Sequence, residues 1–138
     1  MTEQRLTVSA DAAQLPTLTR FLQEFCATAG VPRPDATPLE LALEEVFMNV
    51  VRHGAPAGAT PRVEVSLEIG DEGLVLTIED DGPAFDPLSL PDPDVAAALD
   101  ARPVGGLGVY LVRQLMDGAR YQRVRGRNQL RLTRRLTR

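Results

Sequence analysis

Glu45 and Asn49 stand four residues apart in Glu45-Val-Phe-Met-Asn49. In a helix that spacing puts both side chains on one face. An asparagine carbonyl is a neutral oxygen donor of the kind Mg²⁺ takes, together with water and substrate phosphates. A carboxylate one turn away can orient or deprotonate a nucleophile, water or a protein hydroxyl. Taken alone, the pair also fits the solvent face of an amphipathic helix. A second segment is Asp80-Asp81-Gly82-Pro83-Ala84-Phe85-Asp86-Pro87. A carboxylate at a strand end can accept a hydrogen bond from the exocyclic amine of adenine, and it repels the carbonyl that guanine carries there. Gly82, with no Cβ, lets the backbone approach a flat ring. The plainer reading is an Asp-Gly turn with Asp81 solvated and Phe85 as a core anchor. A third segment is Gly105-Gly106-Leu107-Gly108, ahead of an apolar helical pattern. Backbone N–H groups at a helix entry, with the helix dipole behind them, form an anion site suited to a triphosphate. A flexible hinge is the alternative there. Arg102, just upstream, either reaches a γ-phosphate or stays solvated. His53 is the only histidine and has no Cys or His companion for zinc. It suits the C-terminal end of a helix.

These groups must be positioned without lysine, because all fifteen basic residues are arginine. That excludes a Walker A loop and a eukaryotic-type kinase site, each of which needs a lysine. At 138 residues the chain reads as one domain, 1–138, with one core. The 43% apolar and 25% charged fractions are those of an ordinary globular protein. No apolar run is long enough to span a bilayer, and the first residues lack a secretory pattern, so the expectation is a cytoplasmic protein without a membrane partner. The single cysteine, Cys26, cannot pair internally and reads as a small core residue. The net charge of −4 argues against a polyanion binder. Eight arginines and no acid follow Asp117. With no aromatic stacking motif among them, they are expected on the solvent face of terminal strands and not on nucleic acid.

Arg5 to Ser9 alternates as a first, edge strand. Asp11 offers an N-cap, and Leu15, Leu18, Leu22 and Phe25 follow at helical spacing until Gly30. Thr37, Pro38 and Glu40 predict a capping box opening a second helix that runs to about His53. Val63 to Ile69 and Leu74 to Ile78 alternate on either side of Gly70-Asp-Glu-Gly73, which predicts a hairpin with Asp80 at its end. Residues 88–104 read as a short proline-bearing lid. A third helix is predicted from about Gly106 through Leu115 and Met116. Strands near Tyr121 and through Leu130 and Leu132 flank a turn at Gly126.

In this order, the segments resemble the ATPases that include gyrase, Hsp90, histidine kinases and MutL. Glu45-x-x-x-Asn49 is similar to their N box, Asp80-x-Gly82 to the adenine-contacting box, and Gly106-x-Gly108 to the second glycine box. Asn49-Val-Val-Arg-His-Gly, Phe85-Asp86-Pro87, Gly105-Gly-Leu107-Gly-x-x-Leu-Val-x-x-Leu-Met-Asp117 and Tyr121-x-Arg123-x-x-Gly126-x-Asn128-x-Leu130 most resemble the bacterial anti-sigma factor serine/threonine kinase branch. The resemblance implies an α/β two-layer sandwich of the Bergerat type, with a mixed, mainly antiparallel sheet and helices on one face. It implies ATP and Mg²⁺, with Asn49 holding the metal and Glu45 as base. Asp80 and Gly82 would take adenine. Arg102, Gly105, Gly106, Leu107 and Gly108 would surround the phosphates. It implies phosphorylation of a serine on a STAS-domain antagonist, sequestration of a sigma factor, and a homodimer formed through the N-terminal strand and helix, with Arg20 as a candidate partner contact. The alternative within the same resemblance is a non-catalytic ATP-binding adaptor. Val104 stands where some kinase members carry an arginine, so the resemblance speaks more directly to ATP binding than to phosphoryl transfer.

Overall fold

The computed structural model describes residues 2–53, 60–71, 73–89 and 112–136. The chain begins with strand β1 (Thr2–Ser9), a 3-10 turn (Ala12–Gln14) and helix α1 (Leu15–Ala29). Helix α2 (Arg33–His53) and strands β2 (Arg62–Gly70) and β3 (Gly73–Asp80) follow. A 3-10 turn (Pro87–Ser89), a helical stretch at 112–115, and strands β4 (Gly118–Val124) and β5 (Arg127–Arg134) complete the order. The strands form one five-stranded sheet in the order β1-β2-β3-β5-β4. All four described pairings are antiparallel. β1 is an edge strand, as its alternation predicts.

Period-two alternation divides the sheet into two faces. Val63, Val65, Leu67, Leu74, Leu76, Ile78, Leu130 and Leu132 are buried and share one core with Leu18, Leu22, Leu39, Leu43 and Phe47 of the helices. Glu64, Glu68, Glu79 and Arg131 alternate with them and lie on the other face, so the helices cover one side only. Cys26 is buried in this core, as expected of a small apolar side chain. Among the described residues no helix is long and apolar enough to cross a membrane.

The local signals act much as the sequence implies. Asp11 caps the first turn, its Oδ1 accepting from Ala13 N at 3.0 Å. Gly30 ends α1 in the left-handed region at φ 74°. Gly73 turns the β2–β3 hairpin at φ 117°, and a Cβ there would lie 2.4 Å from the Arg134 carbonyl oxygen, so only glycine fits. Arg125 and Gly126 both take positive φ in the two-residue turn between β4 and β5, the geometry that suits the twist of a tight hairpin.

Helix α2 departs from the expected start. It begins at Arg33, four residues before Thr37, and Pro38 lies inside it. Proline there cannot donate to the carbonyl of Pro34, four residues back. Arg134 compensates from the far end of the sheet. Its Nη2 donates to Pro34 O at 3.3 Å and its Nε to the buried carboxylate of Asp35 at 3.2 Å. Its Nη1 donates to Leu115 O at 2.6 Å, at the end of the 112–115 stretch. One guanidinium therefore joins β5, the opening of α2 and the helical stretch before β4. Arg134 is thus not the solvated strand residue that alternation implies.

Candidate functional site

Glu45 and Asn49 lie on successive turns of α2, beside the Leu39, Leu43, Val46 and Val50 stripe that holds the helix in the core. Asn49 is 2% exposed. Its Oδ1 accepts only a long bond from Arg52 Nη1, 3.4 Å, and its Nδ2 has no partner among the described residues. Glu45 is half-buried and is not bonded to another described side chain.

Asp80 is the last residue of β3, a central strand, and is 6% exposed. Its Oδ1 accepts from Gly82 N and from Asn128 Nδ2, each at 3.0 Å. That leaves Oδ2 as the carboxylate oxygen without a described donor. Gly82 is itself buried, and its carbonyl accepts from Arg123 Nη1 at 2.8 Å. Asp81 is engaged elsewhere. Its exposed side chain accepts from Arg62 N at 2.7 Å and closes the end of β2.

Asn49 and Asp80 line one cavity, together with Phe85, Tyr121, Asn128 and the apolar Val46, Val50, Ile78 and Leu130. The cavity measures about 20 Å³, room for about one water. A purine fits only after part of the wall moves. The half-buried Phe85 is the wall residue nearest solvent on the loop after β3, and His53, at the end of α2, stacks on it with ring centroids 4.8 Å apart and planes 24° apart. The sequence places His53 at a helix end; the aromatic stack is an additional contact. A wider trough at the other end of the sheet, near Gly70, Gly73 and Thr133, does not include these residues. Its Asp117 is already engaged, Oδ2 accepting from Arg135 N at 2.6 Å.

Of the sequence-derived candidates, Asn49 and Asp80 line one cavity, Gly82 is bonded to Asp80 beside it, and Glu45 lies one turn along the helix from Asn49. Arg102, Gly105, Gly106, Leu107 and Gly108 fall outside the described residues, as do the lid from residue 90 and the predicted start of the third helix. Arg20 is exposed on α1. Asn128, Tyr121 and Arg123 carry no chemistry assigned from the sequence, where they serve only as points of similarity. The structure puts all three around the Asp80 loop. The signal that could have found Asn128 is a buried-facing polar residue in the Leu130, Leu132 alternation of a central strand.

The profile of the histidine kinase-like ATPase domain family matches residues 8–134. The serine/threonine-protein kinase BtrW of Bordetella bronchiseptica is 35% identical over 95 residues, covering 69% of this chain and 67% of its own. The serine-protein kinase RsbW of Bacillus licheniformis is 30% identical over 105 residues, 73% of this chain and 66% of its own. The chain thus spans about two thirds of the length of these relatives. A solved structure of the RsbU and RsbW domains of a Mycobacterium tuberculosis protein superposes on all of this chain and 33% of its own, with a TM-score of 0.70 at 20% identity. At that identity the likeness speaks for the fold.

Proposed function

The chain belongs to the histidine kinase-like ATPase domain family, and from that premise we propose that it is an ATP-dependent serine/threonine protein kinase of the anti-sigma, partner-switching type. Its relatives BtrW and RsbW are named as serine/threonine- and serine-protein kinases. On this reading the adenine enters the cavity between α2 and the β3–β5 strands. Asp80 Oδ2 accepts from the 6-amino group, and buried Gly82 gives the ring a flat approach. Gly105, Gly106 and Gly108 would offer backbone N–H groups to the phosphates.

The observation that carries the proposal is the pair of incompletely partnered polar groups in one small, otherwise apolar cavity. Asn49 Nδ2 is buried with no described acceptor, and Asp80 has one oxygen disengaged. An unmade buried hydrogen bond costs about 1–3 kcal/mol. A ligand that accepts from Asn49 Nδ2 would remove that cost, and one that also donates to Asp80 Oδ2 would use its open acceptor.

The donor set also fits a magnesium ion. Asn49 Oδ1 makes one long hydrogen bond and keeps a lone pair. Among the described residues no three His, Cys, Asp or Glu side chains cluster closely enough to hold a metal alone. Asn49 would therefore share the ion with phosphate oxygens and water. Bound there, Mg²⁺ would neutralise charge on the phosphates. The chain's own contribution to transfer is Glu45. Its carboxylate would take the proton of the partner's serine hydroxyl as the serine oxygen bonds to the γ-phosphorus and the bond to the ADP oxygen breaks. The substrate proposed is a STAS-domain antagonist, with a sigma factor as the second partner and a homodimer as the working unit.

The test is calorimetric titration with ATP, with and without Mg²⁺, on the wild type and Asn49→Ala. The expected result is a loss of at least about tenfold in Mg·ATP affinity, with a smaller change when the metal is absent. Equal affinities would remove Asn49 from the site. Radiolabelled ATP and a STAS protein from the same genome then test transfer. ATP binding without label on any such partner would replace the kinase with the non-catalytic adaptor.

A further inference from the structure

We infer that Asn128 is a specificity-determining residue, which makes the cavity select a 6-aminopurine over a 6-ketopurine by holding Asp80 in one orientation; this rests on the ATP reading above. Asn128 sits opposite Asp80 in the β3–β5 register, and it is 6% exposed. Its carboxamide makes four hydrogen bonds. Nδ2 donates to Asp80 Oδ1 at 3.0 Å and to Pro83 O at 2.8 Å. Oδ1 accepts from Phe85 N at 3.1 Å and from the Tyr121 hydroxyl at 2.5 Å.

Two donated protons and two lone pairs exhaust a primary amide. The orientation of the group is therefore determined: turned over, it would set NH₂ against the Phe85 N–H and its oxygen against two acceptors, whichever way the Tyr121 hydroxyl turns. Asn128 also has nothing left for a ligand. It acts through Asp80, as a positioning residue.

Its effect on Asp80 follows from the count of bonds. Oδ1 is fixed by two N–H donors, one from Gly82 and one from Asn128. Turning the carboxylate plane breaks both bonds, so Oδ2 remains at one point of the cavity wall as an acceptor. A 6-amino group meets an acceptor there. A 6-keto oxygen meets a second acceptor that cannot turn aside. A carboxylate held by Gly82 alone could turn and admit a bridging water, which would satisfy either purine. Asn128 also pins the loop through Pro83 and Phe85, and Arg123 pins it independently at Gly82. The loop thus keeps its anchors at Gly82, from Arg123, and at Asp81, from Arg62 N, when Asn128 is removed.

The experiment measures Mg·ATP and Mg·ITP affinities of the wild type, Asn128→Ala and Tyr121→Phe by calorimetry. ITP carries the keto group and lacks guanine's 2-amino group. A site built around one hydrogen bond rejects a mismatched analogue strongly, so the wild type is expected to prefer ATP by about a hundredfold or more. Asn128→Ala is expected to lower that preference at least about tenfold, and Tyr121→Phe, which leaves Asn128 Oδ1 less firmly held, about threefold. A merely structural residue would weaken both nucleotides equally. Preferences within twofold of the wild type in both variants would overturn the inference. Should Asn128→Ala fail to fold by circular dichroism, Tyr121→Phe decides alone. A wild type that binds neither nucleotide overturns the ATP reading and this inference with it. A wild type that prefers ATP, with unchanged preference in the variants, overturns this inference only.

Discussion

Replacing Asp80 by asparagine should invert the purine preference and not merely weaken binding. Asp80 Oδ1 already takes two donors, Gly82 N and Asn128 Nδ2, both at 3.0 Å. In Asp80→Asn the carbonyl oxygen must take that position, since an NH₂ facing two donors would leave each unsatisfied. The amide nitrogen is then forced to where Oδ2 stands, and it points into the cavity. ATP loses a hydrogen bond to a charged acceptor, about 1.5–3 kcal/mol, and its amine faces another donor in a buried place, about 1–3 kcal/mol. The sum is about 4 kcal/mol, roughly a thousandfold in affinity. ITP gains what ATP loses in sign, because its 6-keto oxygen now meets a donor. The change is isosteric and keeps the two bonds that Gly82 N and Asn128 Nδ2 donate, so the fold should persist, and a urea curve beside each titration checks that it does. Calorimetry with Mg·ATP and Mg·ITP reads the outcome. Asp80→Asn that still prefers ATP would refute the assignment of Oδ2 to the adenine amine.

Glu45→Gln should keep ATP affinity within about threefold and lower phosphate transfer to a STAS partner by at least about a hundredfold, measured with radiolabelled ATP; transfer at wild-type rate would exclude Glu45 as the base. Arg134→Leu should destabilise the fold by about 3 kcal/mol, because it removes three hydrogen bonds, to Asp35, Pro34 O and Leu115 O, that tie β5 to α2 and to the 112–115 stretch. That is a fall of about 10 °C in melting temperature for a domain of this size, and a loss under about 1 kcal/mol would show that the link contributes little. Burial pushes the Cys26 thiol from 9.0 to about 11, with a smaller push from nearby Glu40. The unfolded chain therefore loses this proton first, so the stabilisation is complete below pH 9.0 and disappears as pH rises to about 11. Urea midpoints across that window should fall more steeply for the wild type than for Cys26→Ala, and parallel slopes would contradict the shift.

Much of the site was legible because its signals are local. The i to i+4 spacing of Glu45 and Asn49 and the strand-end position of Asp80 follow from helix and strand periods within ten-residue windows. The β2–β3 hairpin is likewise written into two alternating runs and their glycines. What was not legible depends on contacts across the chain. Thr37, Pro38 and Glu40 make a sound local capping box, yet α2 starts earlier because Arg134, 100 residues from Pro34, takes the carbonyl that Pro38 leaves free. Asn128 meets Asp80 across 48 residues of sequence; the alternation with Leu130 and Leu132 marks it as buried but does not say which residue it meets. Arginine alternation in β4 and β5 suggested a solvated face. Arg131 keeps to it, whereas Arg123 and Arg134 turn to backbone carbonyls that no periodicity reveals.

Every step of the proposed function requires that ATP occupy the cavity bounded by Asn49, Asp80 and Phe85. Amide chemical shifts of the isotope-labelled chain, followed during titration with Mg·ATP, report on that occupancy residue by residue. Saturable changes should concentrate at Val46 to His53, at Ile78 to Phe85 with Gly82 N–H foremost, and at the Asn128 side-chain amide. Saturable binding that leaves these signals unmoved while others shift, or no binding at millimolar nucleotide, would place ATP outside this cavity and contradict the assignment.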